Sequence, residues 1–92
     1  GVAILTGTVA NGGTIPLPSG YTEGQCKWLI SMNSDNPLNT KWDINESDPQ
    51  LHYKTECYTT GRVVTAQTYL GSNNEPPGWI ASIANYIIIG VK

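Results

Sequence analysis

Apolar and polar positions alternate most cleanly between residues 25 and 33. Cys26, Trp28, Ile30 and Met32 share one parity, and Lys27, Leu29, Ser31 and Asn33 share the other. A period of two marks a strand with one face toward a core. Residues 2–9 read as an earlier strand, closed by the turn signal Asn11-Gly12-Gly13. Thr14-Ile15-Pro16-Leu17-Pro18 follows, and prolines at spacing two cannot donate to a ladder, so it reads as an edge strand or extended arm. Ser19-Gly20 turns the chain again. Residues 33–48 are polar and turn-rich, a long loop with Trp42 tucked back. Residues 51–58 place Leu51, Tyr53, Thr55 and Cys57 on one face. Thr59-Thr60-Gly61-Arg62 reads as a hairpin connection to a β-branched strand over residues 63–70. Residues 71–78 form a second long loop, and a closing strand spans residues 81–91. No segment holds an apolar stripe at helical spacing, and ten Gly and six Pro argue against helices too. The expected fold is all-β, a small antiparallel β-sandwich of about six strands.

The closing strand breaks the rule that the others keep. Tyr86, Ile87, Ile88 and Ile89 are apolar in succession, and Val91 follows Gly90. A strand with one wet face alternates, so both faces of this one call for cover. A chain of this length buries only about 60–65 % of the surface that it exposes when unfolded. The second cover is expected to be another copy of the chain, touching Tyr86, Ile87, Ile88, Ile89 and Val91.

Composition then narrows the classes of function. The 92 residues make one domain, residues 1–92. Apolar residues are 39 % and charged residues 13 %, about half the usual charged share. The surface is therefore built from Asn, Ser, Thr, Gln, Gly and Tyr, which suits recognition by hydrogen bonds. A net charge of −2 with five scattered Lys and Arg makes no basic face, so no nucleic acid is expected. No run of about 18 apolar residues calls for membrane insertion. The chain starts at Gly1 without an initiator Met, which reads as a fragment of a longer protein.

Candidate chemistry is sparse. Asp43, Glu46 and Asp48 lie together, with Glu56 not far on. Paired carboxylates can hydrolyse glycosides, but acids in one polar loop also make solvated turns, and the chain is small for a cleft around a buried acid. His52 is the single histidine, with no nucleophile elbow to serve; it reads as exposed or bonded within the sheet. Cys26 and Cys57 read as buried free thiols, with a disulfide across neighbouring strands as the alternative. No spacing supports a metal or a cofactor, and no enzyme is expected. The aromatics remain. Trp28 fits the core. Trp42, Tyr69 and Trp79 border the two long loops, where Asp43, Asn73 and Asn74 could bond hydroxyls of a ligand stacked on a ring. The competing reading is that each Trp only pins its own loop.

Four blocks carry a resemblance, in order and over nearly the whole chain. They are residues 13–22 (GTIPLPSGYT), 25–28 (QCKW), 61–66 (GRVVTA) and 84–92 (ANYIIIGVK). Together they resemble the C-terminal tip domain of tail-fibre proteins of tailed bacteriophages. The resemblance implies a β-rich homotrimer at the distal end of a virion's tail fibre, and binding of a bacterial surface polysaccharide or lipopolysaccharide. A structural trimerisation cap without a ligand is the alternative. Assembly in the host cytoplasm would keep Cys26 and Cys57 reduced. No binding residue is carried over, because such tips differ most in their loops.

Overall fold

A computed structural model describes residues 1–33, 52–71 and 78–92. Among the described residues six strands occur in chain order: β1 (Val2–Ala10), β2 (Cys26–Met32), β3 (His52–Thr60), β4 (Val63–Gly71), β5 (Gly78–Ala81) and β6 (Ile83–Val91). The fold is all-β, two antiparallel three-stranded sheets ordered β1-β6-β2 and β3-β4-β5. One 3₁₀ turn, Glu23–Gln25, leads into β2. Strand β5 was not foreseen: Pro76-Pro77 just before it made its start read as loop.

The hairpin between β3 and β4 closes in two residues, Gly61 and Arg62, because Thr60 pairs with Val63. Gly61 has φ 62° while Arg62 stays at negative φ. A single positive φ at the first turn position fits a type II′ turn, which matches the twist of the strands it joins.

Six residues form the centre of the core: Ile15, Cys26, Val64, Ala66, Ala84 and Ile88. They come from both sheets and from the proline-flanked arm. Ile15 is fully buried. The arm is held by Ile15 N–H donating to the Arg62 carbonyl at 2.9 Å and by Arg62 Nη1 donating to the Ile15 carbonyl at 2.8 Å. Trp28 is half-buried against this core, and its Nε1 donates to Thr59 Oγ1 at 3.4 Å, from the first sheet to the second.

The turn after β1 locks the sheets together. Asn11 N–H donates to the Ser82 carbonyl at 3.0 Å, and Asn11 Oδ1 accepts from the Ala66 N–H at 2.9 Å. Gly12 and Gly13 exchange 2.8 Å bonds with Val64. Ser82 is also where the chain passes from β5 in one sheet to β6 in the other. Fourteen extended residues from Gly78 to Val91 would span roughly 46 Å, close to the 53 Å long axis of the molecule. The other two axes are 19 and 16 Å, and the radius of gyration is 16.4 Å. A compact chain of this length would have about 12 Å. The molecule is a slender rod, not a ball.

The closing strand resolves by parity. Ala84, Ile88 and Gly90 are buried, while Ile83, Ile87, Ile89 and Val91 are exposed. Tyr86 packs against the core beside Ile88. Gly90 sits where the Tyr21 ring passes: a Cβ there would lie 2.6 Å from Tyr21 Cδ1. The Lys92 ammonium rests 4.7 Å from the centroid of the same ring, a cation–π contact. The expectation that Ile88 meets another copy is therefore corrected, since it is spent on the chain's own core, while Tyr86 is partly buried against that core.

Candidate functional site

Two of the six ligand residues expected from the sequence fall within the described part of the chain. Trp42, Asp43, Asn73 and Asn74 lie outside the described residues. Tyr69 on β4 and Trp79 on β5 are directly paired across the antiparallel ladder. Cross-strand partners bring their side chains close. Here the rings meet edge-on, with centroids 5.3 Å apart and planes at 65°. That T-shaped contact is a favoured aromatic geometry, worth about 0.5–1.5 kcal/mol beyond area. Trp79 remains 47 % exposed. One edge of the second sheet thus carries an aromatic pair whose indole is fixed in orientation and still reaches water.

The interior is partly polar. Thr68 is fully buried and Ser82 nearly so, and neither hydroxyl has a hydrogen-bond partner among the described residues. Glu56, weighed as a catalytic acid, bonds with Lys54 at 3.6 Å and accepts from Gln67 Nε2 at 3.5 Å. Among the described residues no group of three His, Cys, Asp or Glu comes together. No helix among them is long and apolar enough to cross a membrane. Cys26 and Cys57 are free thiols, the first buried and the second partly so. Burial pushes the Cys57 thiol above its usual pKa.

A second surface was only half visible in the sequence. The outward positions of β1, β6 and β2 bring Val2, Ile4, Leu29, Ile87, Ile89 and Val91 onto one exposed face. Leu29 is 72 % exposed and Ile4 67 %. Of these six, only Ile87, Ile89 and Val91 were expected at an interface. The signal for the rest was present: Leu29 is the one aliphatic residue on a parity otherwise held by Lys27, Ser31 and Asn33, and Val2-Ala3-Ile4-Leu5 is apolar on both parities.

Comparison with known proteins gives one partial likeness. The chain is 46 % identical to Shufflon protein D′ of Escherichia coli over 41 residues, which is 45 % of this chain. The matched stretch covers 9 % of that protein's length. No family model matches the chain, and no solved structure matches it. The likeness names no ligand.

Proposed function

We propose that this chain is the receptor-binding tip of a phage tail fibre, which attaches a virion to a bacterial surface polysaccharide or lipopolysaccharide. It works by adhesion and not by catalysis, and it acts as a homotrimer. The observation that carries the reading is the Tyr69–Trp79 pair. A fixed, half-exposed indole beside Asn- and Ser-rich sequence is suited to stacking on a sugar ring while neighbours bond its hydroxyls. The low charge of the chain agrees, because a neutral glycan offers nothing for ions to pair with. Single sites can be weak, since copies on one tip and several fibres per virion raise avidity.

The test is a glycan array and a cell-adsorption assay with the 92-residue chain and its Trp79→Ala variant. Loss of the stacking face is expected to cost roughly 1–3 kcal/mol of binding per site, as other aromatic anchors do, while the lost ring contact lowers the melting temperature by several degrees and leaves the melt cooperative. Binding that survives Trp79→Ala would place the ligand elsewhere. A second reading is a trimerisation cap that binds no receptor, and the exposed aliphatic face of the first sheet favours it. A fragment that shows no glycan or cell binding would select that reading.

A further inference from the structure

We propose that the outer face of the β3-β4-β5 sheet is a track for a linear, uncharged polysaccharide, held along its length by Tyr58, Gln67 and Trp79. This deepens the receptor reading above and rests on it. What it adds is the mode of binding: an internal stretch of sugar chain lies across three strands, in place of a chain end held at one ring.

The strand register puts these three residues on one diagonal. Cys57, Val64, Ala66 and Ile80 turn inward, so residues of the opposite parity on the same strands face out. Tyr58 stands opposite Thr65, Glu56 opposite Gln67, and Gln67 in turn opposite Ala81. In the next outward row Tyr69 lies between Lys54 and Trp79. The path from Tyr58 through Gln67 to Trp79 therefore takes two equal steps, each one strand across and two residues along. Each step covers about 8 Å, given about 4.8 Å between strands and about 3.4 Å of rise per residue. Tyr58 and Trp79 then stand roughly 16 Å apart at the backbone. One sugar ring cannot touch both, whereas a chain of linked sugars can.

Aromatic rings mark both ends of that diagonal. Tyr58 is 49 % exposed, nearly the same as Trp79. Tyr69 braces the indole edge-on, so the Trp79 ring is set in place before a ligand arrives, and ordering it on binding costs little. Midway, the Gln67 amide is oriented by Nε2 donating to Glu56 Oε2 at 3.5 Å. Two apolar ring faces with an amide and a carboxylate between them match a polysaccharide, which offers apolar ring faces and hydroxyls in alternation along its length.

Charge on this face cancels. Lys54 and Glu56 are the charged residues at its outward strand positions, and they pair with each other at 3.6 Å. An acidic polymer would meet a cation already answered by a carboxylate, whereas neutral hydroxyls can bond either group without a net charge to match. The other sheet supplies the contrast. Its outward positions hold the aliphatic side chains of Val2, Ile4, Leu29, Ile87, Ile89 and Val91 and no aromatic ring. Outward rings thus belong to one sheet alone, the one whose outer face also carries Gln67 and Glu56 between them.

Solution binding of size-graded fragments of neutral bacterial polysaccharides, with acidic ones alongside, tests this on the 92-residue chain. Affinity should rise with fragment length and level off once a fragment spans both rings. Tyr58→Ala should weaken the long fragments by roughly tenfold or more, the loss of one aromatic anchor, and spare the shortest fragments that bind. Trp79→Ala should weaken short and long alike. Tyr58→Phe keeps the stacking face and should bind like wild type, and Gln67→Ala should also weaken the long fragments. Because Tyr58 faces water, its variants should keep the β-sheet circular dichroism and melt cooperatively. Added salt should leave binding unchanged, since no ion pair with the ligand is screened. Three results overturn the track and leave the receptor reading standing. They are affinity independent of length, long-fragment binding that survives both Tyr58→Ala and Gln67→Ala, and a salt-sensitive preference for acidic fragments. A wild-type chain that binds no fragment and no cell overturns the receptor reading itself, and the track with it.

Discussion

Thr68 shows what a single residue's environment costs. Its hydroxyl is fully buried without a partner among the described residues. An unmade hydrogen bond in the interior costs about 1–3 kcal/mol. Thr68→Val keeps the shape and removes the orphan, so it should stabilise the fold by about 1 kcal/mol, read as a higher denaturant midpoint with an unchanged slope. Cys57 makes a second residue-scale prediction. Burial raises its folded pKa above the ordinary thiol value, so the thiolate is scarce at neutral pH. Alkylation in denaturant without reductant should label both cysteines, and in the folded chain Cys57 should react slowly at pH 7 and faster as pH rises. A mass 2 Da light with no label, the signature of a bridge, would overturn that. The sign for stability follows from the raised pKa. The contribution is complete below the unfolded thiol pKa and is lost as pH climbs through the higher folded value.

At the scale of elements, the decisive joint is the turn between β1 and the arm. Asn11 bonds Ser82 through its backbone and Ala66 through its side chain, so one residue ties β1 to β4 and to the β5–β6 crossing. Ala66 is fully buried, and its N–H has no route to water once the side chain is cut. Asn11→Ala should therefore destabilise by about 1–3 kcal/mol, while Asn11→Asp, which keeps the acceptor, should lose less. Equal losses in denaturant melts of the two variants would remove the side-chain bond from this account. The strands themselves were legible in advance because period-two patterning and Gly or Pro punctuation are local. β5 was not, because four residues carry too little pattern to stand out beside the Pro76-Pro77 pair that precedes them in the sequence.

For the whole molecule, shape is the informative quantity. A radius of gyration of 16.4 Å against about 12 Å for a compact chain goes with a long axis of 53 Å and short axes of 19 and 16 Å. X-ray scattering on the 92-residue chain, under conditions where its mass is that of one copy, should return a value near 16 Å and an elongated distance distribution. A value near 12 Å would mean that the two sheets close face to face in solution. Ile88 separates folding from assembly. It is fully buried inside one chain, so Ile88→Asp should unfold the domain outright, an uncompensated buried carboxylate being far too costly.

The sequence by itself determined the all-β class, the β1, β2, β3, β4 and β6 segments, the Gly61-Arg62 hairpin and the structural place of Trp28, because strand period and turn chemistry are written in neighbouring residues. It also flagged Tyr69 and Trp79, since aromatics beside long polar stretches stand out in a chain with little charge. Only the tertiary structure decided that these two rings touch, because their contact depends on the β4–β5 register across residues 72–77. It also decided how the Tyr86–Val91 run divides. Six successive letters cannot say which apolar residues face the chain's own core. The pairing of β6 between β1 and β2, with Tyr21 laid over Gly90, turns Ile88 inward. It leaves Ile87, Ile89 and Val91 outside, beside Leu29 and Ile4, which are distant in sequence and adjacent only once the sheet has formed.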